Sequence, residues 1–61
     1  MIYATIMAAR GEPVVRRTPN YQQRKWLDAR IERECKACKL PGPYIVEEYE
    51  DGKRIRSYTR G

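Results

Sequence analysis

The chain has no histidine, no phenylalanine, one tryptophan and two cysteines. Without histidine it lacks the commonest general acid–base side chain. A structural zinc takes about four Cys or His ligands, and one copy of this chain offers only Cys35 and Cys38. No Gly-rich phosphate loop is present, because the four glycines, at 11, 42, 52 and 61, each belong to a turn or to the end of the chain. No apolar run approaches a membrane span. The stretch 1–10 places no basic residue ahead of its apolar ones, unlike a secretory signal. These absences predict a cytoplasmic, non-enzymatic protein that needs no cofactor and does not enter a membrane. No internal repeat, linker or low-complexity segment interrupts the chain.

Positive charge, by contrast, is abundant. The formal net charge is +5 over 61 residues, which favours anionic partners. The charge is uneven. Through Pro43 there are nine Lys/Arg against four Asp/Glu. Beyond it, Glu47, Glu48, Glu50 and Asp51 are offset by Lys53, Arg54, Arg56 and Arg60. A chain of this length makes one domain, and it buries only roughly 60% of its unfolded surface. Dimerisation, a shared metal or a nucleic-acid partner would add to its stability.

The longest ordered element is expected over Thr18–Lys39. Thr18 suits an N-cap and Pro19 the first helical position. Asn20–Lys39 contains neither Gly nor Pro. Leu27, Ile31, Cys35 and Cys38 fall on one face of a 3.6-residue helix. Trp26 lies about 100° from Leu27, at the edge of that stripe. Glu32–Lys36 and Arg30–Glu34 are i,i+4 pairs. Pro41-Gly42-Pro43 then ends the helix.

Strands are expected on either side. In the stretch 1–9, Ile2, Ala4, Ile6 and Ala8 alternate with Tyr3, Thr5 and Met7. Arg10-Gly11 is a turn, and Val14–Arg17 returns as an edge strand, since Pro13 cannot donate to a ladder. A two-residue loop there sets Ile6 against Val15 and Met7 against Val14. Tyr44–Tyr49 and Arg54–Thr59 form a second hairpin around Asp51-Gly52. That loop pairs Glu50 with Lys53, Tyr49 with Arg54, Glu47 with Arg56 and Ile45 with Tyr58. The expected architecture is α+β, ββαββ, with hairpin 1–17, helix 18–39 and hairpin 44–59. Pattern alone does not decide whether the hairpins share a sheet.

Three groups of residues invite a chemical reading. Cys35-Lys36-Ala37-Cys38 could supply half of a four-thiolate zinc site across a dimer, or a redox pair. The plainer reading is two small core residues on the apolar stripe. Glu47, Glu48, Glu50 and Asp51 could hold a divalent cation, or form a solvated strand face paired with Arg56 and Lys53. Arg16, Arg17, Arg24, Lys25, Arg30 and Arg33, with Tyr21 and Trp26 among them, combine cations for phosphates with rings for bases. The same string also reads as an ordinary solvated helix face. Asp28, Glu32 and Glu34 make the helix a poor major-groove reader. A strand face bearing Tyr49, Arg54, Arg56 and Tyr58 is a second nucleic-acid platform.

The hairpin around Asp51-Gly52-Lys53-Arg54 resembles those of many small β-rich DNA-binding modules, without singling out a family. Brevity and charge density suit an accessory protein of a phage or mobile element. The first expectation is therefore a small basic protein that binds nucleic acid, DNA or RNA. The alternative is a module that binds and modulates a larger protein, through an apolar patch of Val14, Met7 and Tyr3 and the split charge of the last hairpin. A homodimer through the first edge strand is a third expectation.

Overall fold

The computed structural model describes residues 1–9, 15–38 and 42–61. The expected Arg10-Gly11 turn, Pro13, Val14, Lys39 and Pro41 lie outside them. The elements are β1 (Ile2–Ala8), β2 (Val15–Arg17), α1 (Arg24–Ala37), β3 (Tyr44–Glu50) and β4 (Lys53–Arg60). This is the α+β, ββαββ order that the residue pattern implied. The two hairpins join into one antiparallel sheet, in the order β2-β1-β3-β4.

Alternation explains why β1 is central. Ile2, Ala4, Ile6 and Ala8 are all buried, while Tyr3, Thr5 and Met7 on the other face are half-buried. β1 pairs with β3 along its whole length, from Ile2 opposite Glu50 to Ala8 opposite Tyr44. Tyr44 and Val46 therefore share the helix side of the sheet with the buried residues of β1. Leu27 and Ile31 complete the core from α1, each with no exposed surface. Full burial of an aliphatic side chain contributes about 1.5–3 kcal/mol, so these two residues carry much of the helix's attachment. Cys35 packs against the same cluster, as its place on the stripe suggested; the helix ends at Ala37, short of the expected Lys39, and Cys38 reaches the cluster as its extended C-cap.

The helix begins six residues later than Thr18. Gln23 is its N-cap and makes no side-chain capping bond. Thr18 is instead buried beside β1. Its backbone N–H donates to Ala4 O at 2.9 Å, and its hydroxyl accepts from Ala4 N–H at 2.9 Å and donates to Pro19 O at 3.0 Å. Tyr21 continues the pairing: Ile2 N–H donates to Tyr21 O at 2.8 Å and Tyr21 N–H to Ile2 O at 2.7 Å. A helix starting at Thr18 would have left these β1 groups without partners, at the cost of buried unpaired backbone. Pairing with β1 outcompetes the local capping preference.

Two registers also differ from expectation. Met7 faces Val15 and Ile6 faces Arg16, one residue away from a two-residue loop. In the second hairpin, Glu50 faces Lys53 and Tyr49 faces Arg54 as expected. Asp51 and Gly52 both have positive φ, at 51° and 83°, the geometry of a tight hairpin turn that Asp-Gly favours. Beyond them a β-bulge inserts Ile55, so Glu48 rather than Glu47 faces Arg56, and Val46 rather than Ile45 faces Tyr58. One extra residue turns every later side chain to the opposite face. Arg56, Tyr58 and Arg60 thus lie on the helix side of the sheet.

No helix among the described residues is long and apolar enough to cross a membrane.

Candidate nucleic-acid interface

The core stripe divides the rest of α1 into two flanks. The flank toward β2 carries Trp26, Arg30, Arg33 and Glu34. The flank toward β4 carries Arg24 and Asp28. Each flank overlooks a shallow groove, and the far side of the sheet is a third surface.

On the β2 flank, Tyr21, Trp26, Ala29, Arg30 and Arg33 line a groove of ≈ 260 Å³. Tyr21 reaches it from the extended segment paired to β1, and the others from α1. Trp26 is 48% exposed, well above the edge-of-core burial expected from its helical position. Arg30 Nε donates to Glu34 Oε1 at 2.9 Å, and Arg16 Nη1 donates to Glu34 Oε2 at 3.1 Å. Glu34 therefore ties β2 to α1. The Arg16 hydrogen bond, outweighing the opposing effect of burial and aided by Arg30, holds its carboxyl below the usual carboxylate value. Ala29 supplies a floor without a bulky side chain. The groove is thus walled by two aromatic rings and two guanidinium groups. Arg33 has no carboxylate within ion-pair distance among the described residues, and neither has Lys25 nearby.

The β4 flank holds the only buried carboxylate among the described residues. Glu48 has no exposed surface; Arg24 Nη1 donates to its Oε1 at 2.6 Å and the Tyr58 hydroxyl to its Oε2 at 3.1 Å. Arg24 also lies 3.7 Å from Asp28 Oδ1. Burial, and the hydrogen bond that its hydroxyl donates to the Glu48 carboxylate, push Tyr58 up to about 12. Arg56 stacks over the Tyr58 ring, 4.6 Å from its centroid. Asp28, Ile31, Arg56, Tyr58 and Arg60 line a groove above this cluster.

On the face of the sheet away from the helix, Tyr3 and Tyr49 stack with centroids 5.0 Å apart and rings 11° from parallel. The Arg17 guanidinium lies 4.0 Å from the Tyr3 centroid. Arg54 Nη1 donates to Glu47 Oε2 at 2.8 Å. Arg17, Tyr3, Tyr49 and Arg54 so form a row across all four strands. Val15, Met7 and Ile45 lie on the same face.

The ten residues nominated for nucleic-acid binding are therefore distributed over three surfaces. Tyr21, Trp26, Arg30 and Arg33 converge on one groove, with Lys25 and Arg16 close by. Arg17 and Arg54 lie on the opposite face of the sheet. Arg24 is committed to Glu48, and Arg56 stands on the β4 flank. The second platform is split by the bulge, with Tyr49 and Arg54 on one face and Arg56 and Tyr58 on the other. The acidic cluster is split as well, because Glu47 and Glu48 point to opposite faces. Among the described residues no group of three or more His, Cys, Asp or Glu side chains converges as metal ligands do. Cys35 and Cys38 are free thiols, half-buried. Burial raises the Cys35 thiol above its ordinary value, against the opposing pull of Arg60.

The residue pattern placed Tyr3 in an apolar patch and Glu48 in an acidic cluster, and gave no sign that Tyr3 stacks on Tyr49 or that Glu48 is buried. The alternation Tyr44-Val46-Glu48 against Ile45-Glu47-Tyr49 gave no preference, since each face offers an aromatic, an aliphatic and a glutamate. No family model, curated protein or solved structure matches the chain.

Proposed function

We propose that the protein is a non-enzymatic accessory protein that binds single-stranded nucleic acid along the β2 flank of its helix. The observation that carries this reading is the groove in which Tyr21, Trp26, Arg30 and Arg33 meet. Aromatic rings give stacking surfaces that suit any base, and guanidinium groups meet the backbone phosphates. Lys25 and Arg33 contribute charge that no carboxylate among the described residues pairs with, while Arg30 shares its charge with Glu34. The helix is not a groove reader for duplex, because Asp28 and Glu32 stand on its exposed surface.

The test is a titration of labelled single- and double-stranded oligonucleotides at two salt concentrations. About three phosphate contacts at a single strand give a slope near −2 in log K against log salt, so affinity falls roughly fifteenfold from 50 to 200 mM. Trp26→Ala is expected to weaken binding by about 1–3 kcal/mol, the usual worth of one stacked base. Absence of binding at low salt ends the reading. Equal binding by Trp26→Ala removes the groove from it.

A second reading, a module that engages a larger protein, draws support from the sheet face away from the helix, which no other element among the described residues covers. The apolar patch expected there included Val14, which lies outside the described residues; Val15, Met7 and Ile45 now make up its apolar part. A stoichiometric protein partner that survives nuclease treatment of a lysate would favour this reading over the first.

A further inference from the structure

We infer that the outer edge of β4 is a docking edge for an extended acidic segment of another protein, which adds to the sheet as a fifth strand. The inference stands apart from the nucleic-acid reading, because β4 and the Tyr21–Trp26 groove lie on opposite sides of α1.

β4 runs for eight residues, Lys53–Arg60, and is the last strand in the sheet order. Among the described residues only β3 pairs with it. Alternate N–H and C=O groups along its outer edge are thus open to a further strand, the main-chain basis of strand addition. The chemistry of the occupant follows from charge. β4 carries Lys53, Arg54, Arg56 and Arg60 and no acidic residue. Lys53, Arg56 and Arg60 have no carboxylate within ion-pair distance among the described residues, whereas Arg54 is held by Glu47. An acidic strand meets these cations; a basic or neutral one does not.

A second copy of this chain is a poor occupant. The other outer strand, β2, is Val15-Arg16-Arg17 and is basic too. The acidic strand, β3, is interior. Pairing β4 with its own copy about Tyr58 places Arg56 of one molecule opposite Arg60 of the other, and like charges across a ladder destabilise it. The cations that keep copies apart are the same ones that select an acidic partner.

The helix side of β4 supplies side-chain specificity. α1 lies over β1 and leaves a groove of ≈ 290 Å³ lined by Asp28, Ile31, Arg56, Tyr58 and Arg60. On an added strand, the residue opposite Tyr58 points to this side, with Arg56 and Arg60 as its diagonal neighbours. Such neighbours stand about 7–8 Å apart, within reach of long side chains. A glutamate at that place meets both guanidinium groups. The Tyr58 hydroxyl donates to Glu48, which Arg24 holds in turn, so Tyr58 is fixed in the groove before the partner arrives.

The experiment uses the full chain, isotopically labelled, and a fluorescent peptide of alternating Glu and Val about as long as β4. The peptide is expected to bind saturably, to shift the amides of Lys53–Arg60 and to protect them from exchange. Its counterpart with alternate backbone nitrogens methylated cannot complete the ladder and is expected not to bind. Arg56→Glu/Arg60→Glu, checked for a native amide spectrum, is expected to lose at least about tenfold in affinity, as charge reversal at a contact does. No response at β4 overturns the inference. So does equal binding by the methylated peptide or by oligoglutamate, which would reduce the effect to bulk charge. Displacement of the peptide by oligothymidylate, with the same β4 shifts, would assign the edge to phosphate instead of protein.

Discussion

Replacing Arg24 by alanine leaves the Glu48 carboxylate in the core with only the Tyr58 hydroxyl for company. Removing one partner of a fully buried ion pair typically costs about 3–5 kcal/mol. Here one partner is open to water: the Arg24 side chain is 43% exposed while Glu48 has no exposed surface. Solvent screens the exposed half, so the expected loss is about 1–3 kcal/mol. At roughly 0.05–0.15 kcal/mol per residue, a chain of this length has a total stability of about 3–9 kcal/mol. The substitution therefore removes a large share. In thermal unfolding each kcal/mol corresponds to about 4–8 °C for a domain this small. Glu48→Leu is expected to behave differently. It removes the charge together with its need for a partner, and Arg24 and Tyr58 can both turn to water, so the change should fall within about 1 kcal/mol of zero. In the Glu48→Leu background, Arg24→Ala should then cost little, a coupling of about 1–2 kcal/mol. The assay is urea unfolding followed by far-UV circular dichroism, with m-values compared to confirm a common unfolded state. If Arg24→Ala costs no more than an ordinary surface change, about 0.5 kcal/mol, Arg24 is not what makes the buried carboxylate tolerable.

Two further predictions concern the thiols and the tyrosines. Cys35→Ala with Cys38→Ala should destabilise the fold by about 1–3 kcal/mol through lost packing, leave nucleic-acid affinity unchanged, and the native thiols should react slowly with a thiol reagent. Stoichiometric zinc in the purified protein, or rapid native-state labelling, would overturn that assignment. Tyr58 should ionise at about 12 in an alkaline titration, above the ordinary tyrosine value. Because the folded state holds this proton more tightly than the unfolded chain, its contribution to stability is complete below pH 10, the ordinary tyrosine value, and is lost as pH rises toward 12. Ultraviolet titration of wild type against Tyr58→Phe measures both effects. A Tyr58 that titrates at the ordinary tyrosine value would show that its hydroxyl does not face Glu48.

Much of this architecture was legible in the residues. Period-two alternation in Ile2–Ala8 located the central strand, Asp51-Gly52 located a hairpin turn, and the spacing of Leu27, Ile31, Cys35 and Cys38 located the helix face. What was hidden is what tertiary pairing decides. Thr18-Pro19 carries a strong local signal for a helix start, yet the open edge of β1 claims Thr18 and Tyr21. The bulge at Ile55 has no signature in composition, and it alone moves Arg56 and Tyr58 to the helix side. Glu48 resembled its neighbours Glu47 and Glu50, although only it is buried. The groove residues were legible as types, rings among arginines. Their convergence depended on Tyr21 lying outside the helix, since only there does it approach the α1 flank carrying Trp26 and Arg33.

The proposed groove of Tyr21, Trp26, Arg30 and Arg33 for a single strand can be tested residue by residue. The direct measurement is an amide and indole nuclear magnetic resonance titration of the full chain with oligothymidylate at low salt. Saturable shifts are expected at the Trp26 indole N–H and at the amides of Tyr21, Ala29, Arg30 and Arg33, reversed by added salt. No comparable shifts are expected along Tyr3, Arg17 and Tyr49 or along β4. An unchanged Trp26 indole, or shifts confined to the Tyr3–Tyr49 face of the sheet, would contradict the proposed groove.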